Sequence, residues 1–158
     1  MNNSEYADII DLIRSKFSYA VITRCSEKKC NLGLEKLGTF VALKGELVCQ
    51  DSQKMCDCII FKANSDFDIG IVELKGKNPN ASEVIEKISN GKDIALDIIK
   101  DQLENMNEVK FHLLALAKGW DNTQNRKIKT EKINIRGKAH YIKTPRCGVS
   151  FYDEMIKQ

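Results

Sequence analysis

Proline and tryptophan are scarce in this chain of 158 residues, at 2 and 1, and only 7% of residues are aromatic. Glycine numbers 9, and no stretch is rich in Pro, Gly or Ser, so collagenous, mucin-like and linker-joined architectures are excluded. Apolar runs last only a handful of residues, as in Leu113 to Ala117. That is far short of the roughly 20 that cross a bilayer, so no membrane partner is expected. The opening MNNSEYADII has neither a basic n-region nor a long apolar run, so no secretory signal is expected either. Internal repeats are lacking too. What is present is 42% hydrophobic and 30% charged sequence, in a chain long enough to bury roughly 70% of its unfolded surface. The expectation is one soluble, cytoplasmic domain over 1–158.

Net charge is only +3, but it is unevenly placed. Lys118 to Arg146 holds nine basic residues against Asp121 and Glu131, a local +7 that leaves −4 elsewhere. A basic lobe beside an acidic body suits a polyanion-binding protein that also has a cation site. A solvated, Lys-rich tail has the same composition.

Apolar spacing predicts a first helix over Ser4 to Phe17, with Ile9, Ile10, Leu12 and Ile13 on one face and Ser4 as N-cap. Tyr19 to Thr23 fits a short strand, and Gly33 and Gly38 bracket a segment of no assignable state. Three strands are expected at Thr39 to Lys44, Cys56 to Phe61 and Ile69 to Lys75, each ending in turn residues. A long helix fits Ala81 to Gln102, with Asn90-Gly91 a point where it can split. Val109 to Lys118 reads as a buried strand. In the basic segment, Lys132 to Ile135 and Ala139 to Lys143 can pair across Arg136-Gly137-Lys138. The expected class is α/β: a mixed sheet flanked by helices in the order α-β-β-β-α-β (core about 4–118), with a basic C-terminal hairpin extension (about 119–158).

Chemistry concentrates at Asp57, Glu73 and Lys75. Residues i and i+2 of a strand share a face, so Glu73 and Lys75 project together. Asp57, near the start of the preceding strand, can approach Glu73 if the two strands are neighbours. Converging, partly buried carboxylates repel and lose hydration, which a cation relieves. Oxygen ligands suit Mg²⁺ or Mn²⁺, and the backbone carbonyl of Leu74 is a further candidate ligand. Lysine beside such a metal can position water and steady a phosphorane-like transition state. Taken alone, Glu73 and Lys75 fit equally well a surface ion pair worth at most about 1 kcal/mol.

This pattern, Asp57 followed across a turn by Glu73-Leu74-Lys75 at a strand end, resembles the PD-(D/E)xK nuclease superfamily over about Ser4 to Lys118. The resemblance implies a restriction-endonuclease-like fold and a Mg-dependent endonuclease. In it Asp57 and Glu73 hold the metal and Lys75 is the catalytic lysine. It further implies an acid from the first helix, for which Glu5 is the nearest candidate. Lys87 stands where some members carry Gln. Cys56 replaces the motif's Pro, and the QxxxY signature of one branch is absent, so no subfamily is assigned. The implied substrate is nucleic acid, DNA before RNA, with a homodimer as the expected assembly. Two other functions fit the same residues: an inactive nuclease-fold module that binds nucleic acid or a protein, and a zinc-stapled interaction domain.

Six cysteines exceed what packing usually needs. The spacing Cys25-x₄-Cys30 fits half a structural zinc site, completed by Cys147 or by the Cys56/Cys58 neighbourhood, against unpaired thiols as the simpler expectation. Cys56 and Cys58 are most simply buried small hydrophobes. His112, in an apolar strand, reads as a satisfied core histidine, and His140 as a weak phosphate ligand. In the basic segment Lys127, Lys129, Arg136 and Lys138 are the candidates for nucleic-acid backbone contacts, with Trp120 and Tyr141 as stacking rings.

Overall fold

The computed structural model describes residues 1–49, 53–106 and 108–157. Helix α1 spans Asn3–Lys16, and its cap is Asn2, two residues before the expected Ser4: the Asn2 side chain accepts the Glu5 N–H at 3.0 Å. It buries Tyr6, Ile9, Ile10 and Ile13. Leu12 is 54% exposed, because the helical period turns position 12 away from that stripe. A 3₁₀ turn at Ser18–Ala20 replaces the first half of the expected strand, and β1 keeps only Val21–Ile22. Strands β2 (Cys25–Glu27) and β3 (Cys30–Leu32) pair as a small hairpin whose three-residue arms are too short to show a period.

Strand β4 occupies Thr39–Lys44 as expected, followed by the one-turn helix α2 (Gly45–Val48). Strands β5 (Cys58–Ala63) and β6 (Phe67–Leu74), helix α3 (Ala81–Ile99) and strand β7 (Val109–Leu116) complete the expected order. Helix α4 (Asn122–Thr130), capped by Asp121, was hidden in the basic run, where only Ile128 is buried. Strands β8 (Lys132–Ile135) and β9 (Lys138–Tyr141) form the expected hairpin, and α5 covers Phe151–Ile156. Its turn residues Arg136 and Gly137 take φ of 52° and 85°, the left-handed pair that a two-residue hairpin needs.

One five-stranded sheet runs β1-β4-β5-β6-β7, antiparallel throughout except β6–β7, which α3 connects as a parallel crossover. The protein is therefore a mixed α/β fold with a mixed sheet flanked by helices. The α1 and α3 side buries Ile59, Phe61, Phe67, Ile69 and Ile71; the α5 side buries Ile60, Val72, Leu74, Leu114 and Phe151. Asn90-Gly91 does not split α3. A Cβ on Gly91 would lie 2.6 Å from Cys56 Sγ and 2.8 Å from Ile71 Cγ2, so its glycine lets the helix lie tight on the sheet. No helix among the described residues is long and apolar enough to cross a membrane.

The cysteines depart most from expectation. Cys25 is disulfide-bonded to Cys58 and Cys30 to Cys147, while Cys49 and Cys56 remain thiols. The Cys25, Cys30 and Cys147 set proposed for a structural metal is thus oxidised, and a disulfide sulfur is no thiolate ligand. The alternative of unpaired thiols fails for the same four residues. Both bridges clip the β2–β3 hairpin, one onto β5 and one onto the segment before α5. Such bonds are rare in reducing cytoplasm, which gives the cytoplasmic expectation no support.

Candidate active site

Asp57 sits in the bend before β5, held by its main chain before its side chain acts. Its N–H donates to Val72 O at 2.9 Å, and its carbonyl accepts the Gly45 N–H at 3.0 Å. Glycine at 45 is needed because a Cβ there would meet Cys56 O at 2.0 Å. Gly45 on one side and Gly91 on the other therefore clasp the Cys56-Asp57 segment. From this position Asp57 Oδ2 accepts the Leu74 N–H at 2.7 Å, across from the end of β6. Neighbouring strand residues alternate the side to which their backbone groups point, and Lys75 N–H already donates to Leu116 O on β7. By that alternation the Leu74 carbonyl points to the β5 side of β6, the side from which Asp57 accepts its N–H.

Glu73 is 1% exposed, near the end of a strand buried along its whole length. Its Oε2 lies 3.2 Å from both Lys75 Nζ and Lys87 Nζ. Glu83, one turn before Lys87 on α3, has Oε1 3.3 Å from the same two ammonium groups. Neither buried Glu73 oxygen has a partner in ideal hydrogen-bond geometry, although the Lys87 ammonium and the Asp57 carboxyl both lie close enough to Glu73 for its hydrogen bonding to raise their pKa values.

The charges of this cluster explain its titration. Lys75 and Lys87 pair with Glu73 and Glu83, and the Lys87 charge acts on Asp57 more weakly than burial and the Glu73 charge do. Burial first, then the Glu73 charge, raises the Asp57 carboxyl to about 7, although the Leu74 N–H pulls the other way. Burial works against the Lys87 ammonium, but Glu73 and the hydrogen bonds around it prevail and raise its pKa. Hydrogen bonds from Lys87 and Lys75 lower that of Glu83. Burial raises the Cys56 thiol, which makes it an inert core group. Asp57 opens on a cleft of about 250 Å³ rimmed by Arg24, Ser26, Lys44, Glu46 and Lys87.

Asp57, Glu73, Lys75 and Lys87 are thus brought together. Glu5 is not. Tyr6 next to it stacks on Phe67, ring centroids 5.7 Å apart, at the opposite end of β6 from Glu73. Six residues of strand separate those ends, about 20 Å. Glu83 was missed by sequence reading, although its i,i+4 spacing to Lys87 was the available signal. No group of three or more His, Cys, Asp or Glu side chains among the described residues is arranged around a metal position. The Asp57 and Glu73 carboxylates and the Leu74 carbonyl are the oxygen donors here that could hold Mg²⁺ or Mn²⁺, which binds through one or two carboxylates and keeps several waters.

The basic candidates divide. Lys127 hydrogen-bonds Ser82 Oγ at the start of α3, and Lys129 is exposed on the same helix α4; both lie beside the carboxylate end of the sheet. Arg136 and Lys138 lie instead in a groove beside the start of β7. Trp120 is partly buried and packs against the core, whereas Tyr141 is 49% exposed. His112 Nε2 meets buried Asp68 Oδ1 at 2.9 Å, the satisfied arrangement expected of a core histidine. Comparison of the chain with protein families, with curated proteins and with solved structures finds no match.

Proposed function

We propose that the protein is a metal-dependent nuclease that hydrolyses nucleic-acid phosphodiester bonds, DNA in preference to RNA, on a restriction-endonuclease-like core. The observation that carries this reading is Glu73: a carboxylate 1% exposed, with Oε1 unpartnered, facing a second carboxylate whose pKa is raised to about 7. Folding tolerates such a pair poorly unless it serves a cation. Asp57, Glu73 and the Leu74 carbonyl would hold Mg²⁺ or Mn²⁺. When bound, that ion supplies positive charge for the water and the phosphate oxygens. Lys75 Nζ, 3.2 Å from Glu73, donates hydrogen bonds to the attacking water and to the charge developing on phosphate. Lys127 and Lys129 neutralise backbone phosphates beside the site.

Labelled single-stranded, duplex and branched DNA, and RNA, incubated with Mg²⁺, Mn²⁺ or EDTA test this reading. Metal-dependent cutting that disappears in Glu73→Gln and Lys75→Ala supports it; no cutting of any substrate removes the catalytic claim. One observation favours a second reading, an inactive nuclease-fold module: the Lys87 ammonium sits 3.2 Å from Glu73 and supplies charge that a metal otherwise would. Homodimerisation is a separate proposal, read by sedimentation with and without DNA. The two disulfides favour an oxidising compartment over the cytoplasm.

A further inference from the structure

Beside the first half of β7 lies a groove of about 790 Å³, far larger than the cleft at Asp57. It exists because β7 is covered over only part of its length. Lys143 N–H donates to Leu113 O and accepts, through its own carbonyl, the Ala115 N–H, which closes the strand's outer edge from Leu113 onward. Strand alternation turns the backbone groups of Val109 and Phe111 to the same outer side, and the hairpin and α5 stand away from them as walls. Two walls of a polar groove are therefore cationic. Lys110 is paired with Asp66 and Lys157 with Glu154. Arg136, Lys138 and Lys143 also line it and form no ion pair among the described residues, with Glu108 the one acid on the lining. Its rings are ordered: His140 stands edge-on to Phe111 with centroids 6.2 Å apart, and Tyr141 beside it is 49% exposed.

We propose that this groove is a second binding site, for single-stranded nucleic acid, which holds the flank of the strand while the carboxylate pair acts elsewhere on it. The inference deepens the nuclease reading and rests on it for the identity of the polyanion. Arg136 and Lys138, with Lys143 whose ammonium donates to the Lys157 carbonyl at 3.1 Å, stand beside an exposed tyrosine and match a phosphate backbone with a stacked base. An acidic peptide added as a strand is the poorer fit, since only Val109 and Phe111 offer free edge. Val109 and Ala115, the residue paired with Glu73, are six strand positions apart, about 20 Å. A strand stacked at 3.4 Å per nucleotide covers that in about six nucleotides.

Fluorescein-labelled dT₄ and dT₁₂, titrated in EDTA against the full chain at several salt concentrations, test the proposal. Neutralising three phosphates of a single strand gives a slope of log K against log salt near −2, so threefold more salt weakens binding about tenfold. dT₁₂ is expected to bind at least tenfold more tightly than dT₄. Arg136→Glu with Lys138→Glu, both on an exposed turn, should weaken dT₁₂ at least tenfold and flatten the slope by about 1. Tyr141→Ala should weaken it about tenfold with the slope unchanged. Unchanged binding in both variants overturns the proposal. So does a poly-glutamate peptide that binds as tightly as dT₁₂ and is equally sensitive to the charge reversal. Glu73→Gln keeps dT₁₂ binding if the groove is the site. A chain that binds in the groove yet cuts nothing refutes the nuclease and leaves the groove standing.

Discussion

Replacing Asp57 by Asn tests the central electrostatic argument without any assumption about substrate. Folding moves the Asp57 carboxyl from 3.8 to about 7, because burial and the Glu73 charge together outweigh the Leu74 N–H and the Lys87 charge. Below pH 4 the carboxyl is protonated in both the folded and unfolded chain. Between pH 4 and 7 only the folded chain keeps the proton, so stability falls as pH rises through that window. Above pH 7 the full difference is lost, about three units at 1.36 kcal/mol each, or about 4 kcal/mol. Asn preserves the shape and can still accept the Leu74 N–H through its carbonyl oxygen, yet carries no charge. Urea unfolding in EDTA should therefore show Asp57→Asn nearly equal to wild type at pH 4 and more stable by up to about 4 kcal/mol at pH 8. Saturating Mg²⁺ at pH 8 should raise the stability of wild type and leave the variant unmoved. A variant less stable than wild type at pH 8, or a gap that does not change with pH, would refute the reasoning. Either result would mean that the Leu74 N–H outweighs the repulsion from Glu73.

Lys87→Gln removes one of two ammonium groups from Glu73, so isothermal titration should show Mn²⁺ binding tighter by about tenfold or more, as one charge-assisted contact predicts. Unchanged Mn²⁺ affinity would mean that Lys87 does not compete for the site. Cys30→Ser with Cys147→Ser opens a loop spanning 117 residues and should lower unfolding free energy by about 4 kcal/mol under oxidising conditions, with no effect once reductant is present. Gly91→Ala drives a methyl into Cys56 Sγ and Ile71, and should cost about 1–3 kcal/mol in chemical denaturation. The variant Gly76→Ala, where nothing lies within 4 Å of the new Cβ, is its neutral control.

Legibility of the sequence followed the length of each element and how deeply it is buried. Thr39–Lys44 matched residue for residue because six apolar-rich positions end at a glycine. The long strands β6 and β7 and helix α3 showed through for the same reason. Three-residue β2 and β3 carry no period, and α4 buries a single Ile128, so neither leaves an apolar pattern to find. Asn90-Gly91 looked like a break because propensity is local. What keeps α3 whole is contact with Cys56 and Ile71, which no window of neighbouring residues contains. Disulfide partners are similarly nonlocal: Cys25 and Cys30 lie five apart in sequence, yet each bonds a cysteine from a distant element.

At the site, the same contrast separates Asp57 from Glu5. Both are acids near the start of an element, Asp57 a central candidate of the sequence and Glu5 one implied only by the family resemblance. Asp57 meets Glu73 because antiparallel pairing of β5 with β6 sets Cys58 opposite Val72, which puts the preceding residue level with the end of β6. Glu5 lies at the start of α1, where its neighbour Tyr6 is anchored on Phe67 at the far end of β6 from Glu73. Direction of chain travel, rather than residue type, decides which carboxylate meets Glu73. Lys87 reaches the site by a third route, as the α3 residue one turn after Glu83 on a helix that Gly91 lets sink toward the sheet. Had α3 stood farther off, Lys87 could not lie 3.2 Å from Glu73, and the buried carboxylate would face Asp57 with Lys75 as its one counter-charge. The close approach of α3 thus sets the charge that surrounds the pair and, on the metal-binding proposal, the charge a cation would have to displace.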